Sequence, residues 1–590
     1  MTSTKATLSS AIDARRVATE PNAASPPPPP SSTSSNVLGR ALRGGSYLFL
    51  QKILTFAINS FILRRLHLSV TGAVTVQFEL VLASVFLFRD AFRLAFLRMP
   101  SLLDPSSSDV RTRQQRVVNA AWLSTLVSWL LAVGIAALMI AREDNEAKAR
   151  DAQQGLQGYT RVLVMYCVAA MLEAAAEPMY LLAHSSVLVG WQVSAQGMGF
   201  LMRALVQYVG IFLLQLDGLL SYGIAEIAYA ATLFVVFASF FYRKLGENRR
   251  ANLPVMQSLT ELLPRPAAGS NDGLFDAETL TLLVPLTLQS VVKYLLTEGD
   301  KWVLSLFTTM QQMGIYGIVF HLGSLVPRIV FFPLEEATKT IVSKMSRERP
   351  DDVAQTQRFV LVLLKVLHVI GMVFICFGVN YAYTLVVLLY GLEKAQGGVA
   401  SALAMYCVYI PFLGLNGVCE AFVHAVGDKH QLMRLNQLMG VFFLLYATSA
   451  MLFMWGLQLD TVGIILANCV NMSCRILYCL PFMARYFANA STDKPVQQGL
   501  SVVLAFWRQA LPDRLVLVAF LGSFGIGAVS QRLLLAQESW LHHGMHVAVG
   551  GVCFVAVLLA MYRRERHLLL HDLRQLRRGG DSAPSKPHSE

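Results

Sequence analysis

Roughly fourteen apolar stretches, each of about 17 to 30 residues, succeed one another from Ser46 to about Tyr562 with short charged segments between them. Read as spans they cover 46–64, 72–97, 116–141, 159–183, 185–214 and 219–242, then 278–307, 314–345, 357–380, 400–426, 432–456, 461–486, 500–530 and 541–563. About 20 apolar residues in a helix cross a hydrocarbon core of about 30 Å, and a helix satisfies its own backbone hydrogen bonds there. The pattern predicts an all-α polytopic membrane protein of about 14 transmembrane helices. Six spans, a polar connection broken by Pro254, Pro264, Pro266 and Gly269, six more spans and two extras predict two six-helix lobes plus two C-terminal helices. The plan is a tail at 1–44, lobes at 45–242 and 278–486 joined by a cytosolic linker at 243–277, two extra helices within 487–566, and a basic tail at 567–590.

Composition agrees with the pattern: 55% of residues are apolar and 15% charged. The net charge of +12 invites a nucleic-acid reading, but Lys and Arg concentrate on alternate loops. That is the positive-inside bias, and it predicts both termini in the cytosol and no nucleic-acid partner. All eight cysteines fall inside apolar spans without metal-site spacing, so they read as small packing residues. The first 44 residues, rich in Ser, Thr and Ala with Pro26 to Pro30 in a run, read as a disordered tail with a stiff segment. Arg15 and Arg16 resemble a transit peptide in outline, yet no apolar core precedes a cleavage site.

Ionisable residues inside the spans change the picture most. Lys52, Arg89, Glu173, Glu177, Arg203, Lys293, Glu298, Lys301, Arg328, Glu335, Lys365 and Glu420 sit at membrane depth. Each is costly there unless paired or facing water, so together they predict a polar path through the bundle. The seventh span puts Lys293, Glu298, Asp300 and Lys301 into ten residues, with Glu298 and Lys301 spaced to pair on one face. The eighth answers with Arg328, Glu335, Glu336 and Lys339, where Arg328 and Glu335 are two turns apart and Glu335 can reach Lys339. Lys293, Glu335, Lys339 and Glu420 suit a gating or ion-pair network. In the first lobe Arg64 and Arg65 end one span towards the lumen, and Arg89 and Arg93 stack one turn apart towards the cytosol. Guanidinium forks hold phosphate bidentately, so cations at both ends of a cavity suit an anionic headgroup; the alternative is snorkelling to lipid headgroups.

Prolines at 285, 327, 333 and 411 predict kinks that serve either packing or gating. Gly522, Gly525 and Gly527 read as close helix packing. No G-x-x-x-x-G-K-[ST] loop is present to cradle ATP, and H-E-x-x-H and G-x-S-x-G are absent. The chain thus reads as a non-enzyme without cofactor or metal.

Six segments in order resemble the eukaryotic "requiring fifty-three" family of endoplasmic-reticulum proteins, within the multidrug/oligosaccharidyl-lipid/polysaccharide exporter superfamily. They are Ala57 to Arg64, Leu87 to Arg93, Glu173 to Pro178, Leu295 to Lys301, Arg328 to Glu336 and Asn416 to Phe422. The resemblance implies movement of a dolichol-diphosphate-linked, mannose-rich oligosaccharide across the endoplasmic-reticulum membrane for N-glycosylation. It also implies that lipid and other N-glycosylation proteins as partners. For such a substrate Arg64, Arg89, Arg93, Glu298, Lys301 and Arg328 are the expected contacts, with the lipid tail left in the bilayer beside the extra helices. Two other readings fit the residues: an ion-coupled exporter of small molecules using Glu173, Glu298 or Glu420, and a non-transporting accessory or chaperone of the lipid-linked sugar pathway. The long Pro/Ser tail and the polar segment Arg142 to Asp151 depart from the family pattern but leave the six matches intact.

Overall fold

The computed structural model describes residues 56–97, 110–142, 156–185, 189–251, 256–266, 277–344, 350–490, 500–536 and 539–565. All regular structure among them is helical, and Ala57–Glu590 groups as one compact unit. The helices are α1 (57–65), α2 (Leu68–Val85), α3 (Arg89–Leu97), α4 (Val110–Arg142), α5 (Tyr159–Ala175), α6 (Glu177–Ser185), α7 (Val189–Tyr208) and α8 (Gly218–Arg250). The second half contributes α9 (Ala277–Phe307), α10 (Met310–Lys344), α11 (Asp352–Tyr390), α12 (Leu392–Val426), α13 (Lys429–Gly456) and α14 (Asp460–Ala490). Three more follow: α15 (Leu500–Ala510), α16 (Arg514–Leu534) and α17 (Trp540–Arg564).

Ten of these helices are long and apolar enough to cross a membrane, or eleven when α5 and α6, bent by 44°, count as one span. This is a multi-pass membrane protein, and the difference from fourteen has physical causes. The 31-residue α9 stands outside that number, its apolar segment Leu283–Leu295 being among the shorter ones. The stretch 72–97 breaks at Phe86–Phe88, separating α2 from α3. The expected span 500–530 is two helices instead. The chain breaks at Leu511–Asp513, where Pro512 cannot continue a helix and the Asp513 carboxylate caps α16 by accepting from Leu515 N at 2.9 Å. The crossing helix is therefore α16, shifted towards the C-terminus.

The linker also differs from expectation. Helix α8 continues to Arg250, and residues 256–266 dock on α4 rather than hanging free. Trp122 Nε1 donates to Leu262 O at 2.7 Å, Gln115 Nε2 to Leu263 O at 3.0 Å, and Asn119 Nδ2 to Arg265 O at 2.7 Å. Arg111 and Glu261 close the end of this face at 2.5 Å. These α4 residues are three to four apart, so one helix face holds the strap.

Within the first half α4, α5, α7 and α8 pack on one another, and within the second α12 packs against α10, α11 and α14. The halves meet where α2 crosses α10 and where α3 meets α9. The α2–α10 crossing is reciprocal. A Cβ on Gly72 would overlap the Met310 carbonyl, and one on Gly314 would overlap the Leu68 carbonyl. Leu68 and Gly72 stand 242 residues before Met310 and Gly314 respectively, so equivalent positions of the two halves touch each other. The halves repeat a turn as well. Leu214-Gln215-Leu216-Asp217 and Leu457-Gln458-Leu459-Asp460 each follow a π-helical turn and place the glutamine at positive φ, 49° and 52°. This duplicated tetrapeptide, 243 residues apart, was legible in the sequence as a register for the two halves.

Helices α16 and α17 form a hairpin that packs on α11. Buried His546 contacts Ser530 Oγ at 2.8 Å and Asn380 O at 3.2 Å, and its ring stacks on Tyr381 at 4.1 Å. Of the three glycines expected in close packing, only Gly527 meets a neighbour, the Asn380 side chain; Gly522 and Gly525 face open space.

The glycine crossing gives the first test. Gly314→Leu has no room against the α2 backbone and should cost more than about 3 kcal/mol, with loss of folded protein in detergent. Gly134→Ala, with nothing within 4 Å of the new methyl, should leave the melting temperature unchanged.

Candidate functional site

Helix α9 is amphipathic across its length. Val284, Leu288, Val292, Leu295 and Leu306 are exposed along one stripe suited to lipid, while Tyr294, Glu298 and Lys301 share another face. That polar face meets α2 and α3. Lys301 Nζ lies 2.9 Å from Glu298 Oε2 on its own helix and 3.1 Å from Glu79 Oε2 on α2. Tyr294 OH lies 2.7 Å from Ser84 Oγ of α2 and accepts from Trp302 Nε1 at 3.0 Å. Immediately before Tyr294, Lys293 Nζ pairs with Asp90 of α3 at 2.9 Å. Side-chain exposures of 46% for Glu79, 49% for Asp90 and 63% for Lys293 place this seam against water, since charges so exposed do not face lipid.

The expected Glu298–Lys301 pair is thus present, but it is one edge of a larger cluster. Asp300 accepts from the Lys301 backbone N at 2.9 Å and from the Tyr316 hydroxyl of α10. Two carboxylates, Glu79 and Glu298, therefore hold the Lys301 ammonium, while Asp300 turns to α10. Glu79, Asp90, Asp300 and Tyr294 complete the seam and were not among the expected contacts. Glu79 carried a signal, a single carboxylate within the apolar run of α2.

In the first half the arginines expected to hold phosphate are engaged by protein. Arg89 Nη1 donates to Glu173 Oε1 at 2.6 Å, and its guanidinium sits over the Phe86 ring at 3.9 Å. Arg93 is bidentate to Glu177, both bonds 2.7 Å, and lies over Tyr180 at 3.7 Å. The one-turn spacing of the arginines on α3 matches that of the glutamates at the α5–α6 bend, forming a two-rung ladder. Deeper still, Arg203 of α7 pairs with the buried Glu226 of α8 at 3.1 Å.

The second half holds its own cluster. Glu335 pairs with Lys339 at 3.0 Å and not with Arg328; the four-residue spacing puts the lysine nearer on the helix. Glu420 of α12 takes Arg475 of α14 and His424, each at 3.6 Å. Arg475 was not among the expected residues, although it is an arginine in the middle of an apolar helix. Arg328 is exposed and has no carboxylate partner among the described residues, and the same holds for Arg64, which donates instead to Leu388 O of α11 at 3.3 Å. Nearby, buried Lys394 donates to Leu63 O at the end of α1. Two cation-to-carbonyl bonds thus fasten α1 to the α11–α12 connection. Lys52 lies outside the described residues. Among the described residues no group of three or more His, Cys, Asp or Glu side chains has a geometry that would hold a metal ion.

Comparison with known proteins bears on this arrangement. A family profile described as "Rft-1: Rft protein" matches residues 46–575. The Man(5)GlcNAc(2)-PP-dolichol translocation protein RFT1 of Xenopus tropicalis is 30% identical over 555 residues, spanning 91% of this chain and 96% of that one. The protein of the same name from Dictyostelium discoideum is 26% identical over 568 residues, with 90% and 96% covered. Among solved structures, an inward-facing multidrug resistance MATE family transporter of the MOP superfamily superposes with a TM-score of 0.55 at 12% identity, covering 75% of this chain and 95% of its own. The lipid II flippase MurJ in an inward closed conformation gives 0.52 at 14% identity, covering 88% and 98%. At these identities the two structures share the fold with this chain.

The seam makes a charge-swap experiment informative. Spacing alone predicts that Glu298→Lys combined with Lys301→Glu restores an i,i+3 pair and rescues the protein. With Glu79 3.1 Å from position 301, the introduced carboxylate instead meets a like charge. The double variant should remain at low abundance, and adding Glu79→Gln should recover most of it, as read by fluorescence-detected size-exclusion chromatography.

Proposed function

This chain belongs to the Rft-1 protein family, and from that membership we propose that it translocates a dolichol-diphosphate-linked, mannose-rich oligosaccharide from the cytosolic to the luminal leaflet of the endoplasmic-reticulum membrane. The observation that carries this reading is the extent of the match, residues 46–575, which takes in every candidate span and the whole polar seam. The step serves protein N-glycosylation and sets the protein beside the other membrane proteins of that pathway.

The chemistry of the chain supports the same reading. An amphiphile with a large polar headgroup needs a wet path bounded by protein and a tail left in lipid. The exposed charges between α2–α3 and α9 supply a wet surface inside a bundle whose outer stripes are apolar. The absence of an ATP-cradling loop suits facilitated exchange rather than pumping. Within the expected site we assign Arg64 and Arg328, which have no carboxylate partners among the described residues, to the diphosphate. Glu298 and Lys301 line the path. Arg89 and Arg93, each spent on a glutamate, hold the first half together. Lys293, Glu335, Lys339 and Glu420 remain in the ion-pair networks that bracket the path. We take 45–242 and 278–486 as the two lobes, in line with the reciprocal Gly72–Gly314 contact and the repeated Leu-Gln-Leu-Asp turn. Both termini are placed in the cytosol from the distribution of Lys and Arg.

Reconstitution tests the activity. Vesicles containing the purified chain should move a radiolabelled lipid-linked oligosaccharide to the opposite leaflet faster than protein-free vesicles, scored by its accessibility to a sugar-cleaving enzyme outside. Equal rates in both would remove the translocation reading. Orientation has its own test in the sequon Asn489-Ala490-Ser491, whose first two residues end α14 on the cytosolic side of this topology. The full-length protein should show no glycosidase-sensitive mass there, whereas a glycan at Asn489 would invert the topology.

A further inference from the structure

The polar face of α9 carries an imbalance of charge that bears on which end of the substrate it meets. The Lys301 ammonium is held between Glu79 at 3.1 Å and Glu298 at 2.9 Å, and Lys293 is paired with Asp90 at 2.9 Å beside it. Bringing a diphosphate here would add negative charge to a seam where three carboxylates (Glu79, Glu298, Asp90) already outnumber two ammonium groups (Lys293, Lys301), and like charges repel in a partly desolvated site. Carboxylates paired loosely with one lysine are, by contrast, good acceptors for neutral hydroxyl groups.

The neighbouring side chains point the same way. Tyr294 and Trp302 lie side by side, linked by the indole N–H to the phenol oxygen at 3.0 Å. Trp302 stays 38% exposed although it sits against the seam. Aromatic faces of this kind pack against the C–H faces of sugar rings while polar groups at the rim take the hydroxyls. One turn before Tyr294 on the same side of α9, Ser290 is 4% exposed and its hydroxyl has no hydrogen-bond partner. Together the seam offers several acceptors, one ammonium donor, hydroxyls able to do either, and an apolar platform. Its composition is poor for an anion and good for a polyol.

We propose that the α2–α9 seam, built from Glu79, Ser84, Tyr294, Glu298, Lys301 and Trp302, binds the neutral oligosaccharide of the substrate and excludes its diphosphate. The assignment rests on the translocation reading above and sharpens it. The headgroup enters sugar-first along the seam, and the diphosphate stays with the unpaired cations elsewhere. Glu79 contributes from the first half and the rest of the aromatic–acid set from the second, so a bound sugar contacts both halves at once.

Binding to the full-length protein in detergent separates the parts of the substrate. Three probes serve: the free mannose-rich oligosaccharide, a polyprenyl diphosphate without sugar, and the complete lipid-linked oligosaccharide, each titrated by calorimetry. Glu79→Gln and Trp302→Leu should each weaken the free oligosaccharide about tenfold. Both variants should bind the polyprenyl diphosphate within twofold of wild type, which also shows that they are folded. The proposal is overturned if these variants lose the polyprenyl diphosphate but keep the oligosaccharide. It is equally overturned if wild-type protein binds the complete lipid without any competition from free oligosaccharide, an outcome that leaves the translocation reading standing. A wild-type chain that binds none of the three probes removes both.

Discussion

A charge inside a bilayer must be paired or wet, and in this protein that single constraint decides which helices are neighbours. The buried pairs Arg93–Glu177 and Arg203–Glu226 tie helices of the first half to each other, and Arg475–Glu420 ties α14 to α12 in the second. Breaking a buried pair from one side costs about 3–5 kcal/mol, because the remaining charge has no water to turn to. The pairs that cross between the halves are of another kind. In Lys293–Asp90 both side chains are about half exposed or more, and in Lys301–Glu79 the carboxylate is, so water screens these pairs, and exposed pairs contribute about 0–1 kcal/mol. Each half is thus stiffened from within, and the polar seam between them is held weakly. A large headgroup needs a path that opens, and electrostatics leaves the seam as the least costly place to open it.

The glycine crossing sets the opposite boundary. At Gly72 and Gly314 two backbones touch, and such contact is lost as soon as the helices separate, since no side chain bridges the gap. The same end carries the two cation-to-carbonyl bonds from Arg64 and Lys394. The halves are therefore locked by packing at one end and by screened charges further along. The near-constant offset of 242 to 243 residues shows how this arose from a repeated plan. Position 177 of the first half corresponds to 420 of the second, and both are glutamates, each held by an arginine from a different helix. Backbone plan and acidic anchor are shared, while the arginine that answers has moved from α3 to α14.

How much of this could be read from residue types follows from the range of each signal. Spans were legible because about 20 apolar residues in a row have one physical explanation. The break before α16 was less so, because Leu500 to Ala510 is apolar enough to pass as membrane-embedded and only Pro512 and Asp513 mark the turn. The i,i+3 pair of Glu298 and Lys301 was legible, being local to one helix. Glu79 and Asp90 joining the α9 lysines was not, since those contacts close over 200 residues of chain and spacing carries no information about them. For the same reason Arg89 and Arg93 looked available for phosphate. Their sequence neighbourhood is basic, and the carboxylates that neutralise them lie 84 residues away.

The attachments at the periphery decide which parts move with which half. Residues 256–266 are bound along one face of α4, so this part of the connection between the halves belongs mechanically to the first. The α16–α17 hairpin is bound through Asn380, His546, Ser530 and Tyr381 to α11, and Glu565 at its end pairs with Lys365 of the same helix at 3.3 Å. That hairpin belongs to the second half. Hydrogen bonds in a membrane interior are not exchanged for bonds to water, which favours their persistence while exposed ion pairs come and go. Any opening is then a displacement of the first half with its strap against the second half with its hairpin. The surface that such a displacement uncovers is the face of α9 that carries Glu298 and Lys301.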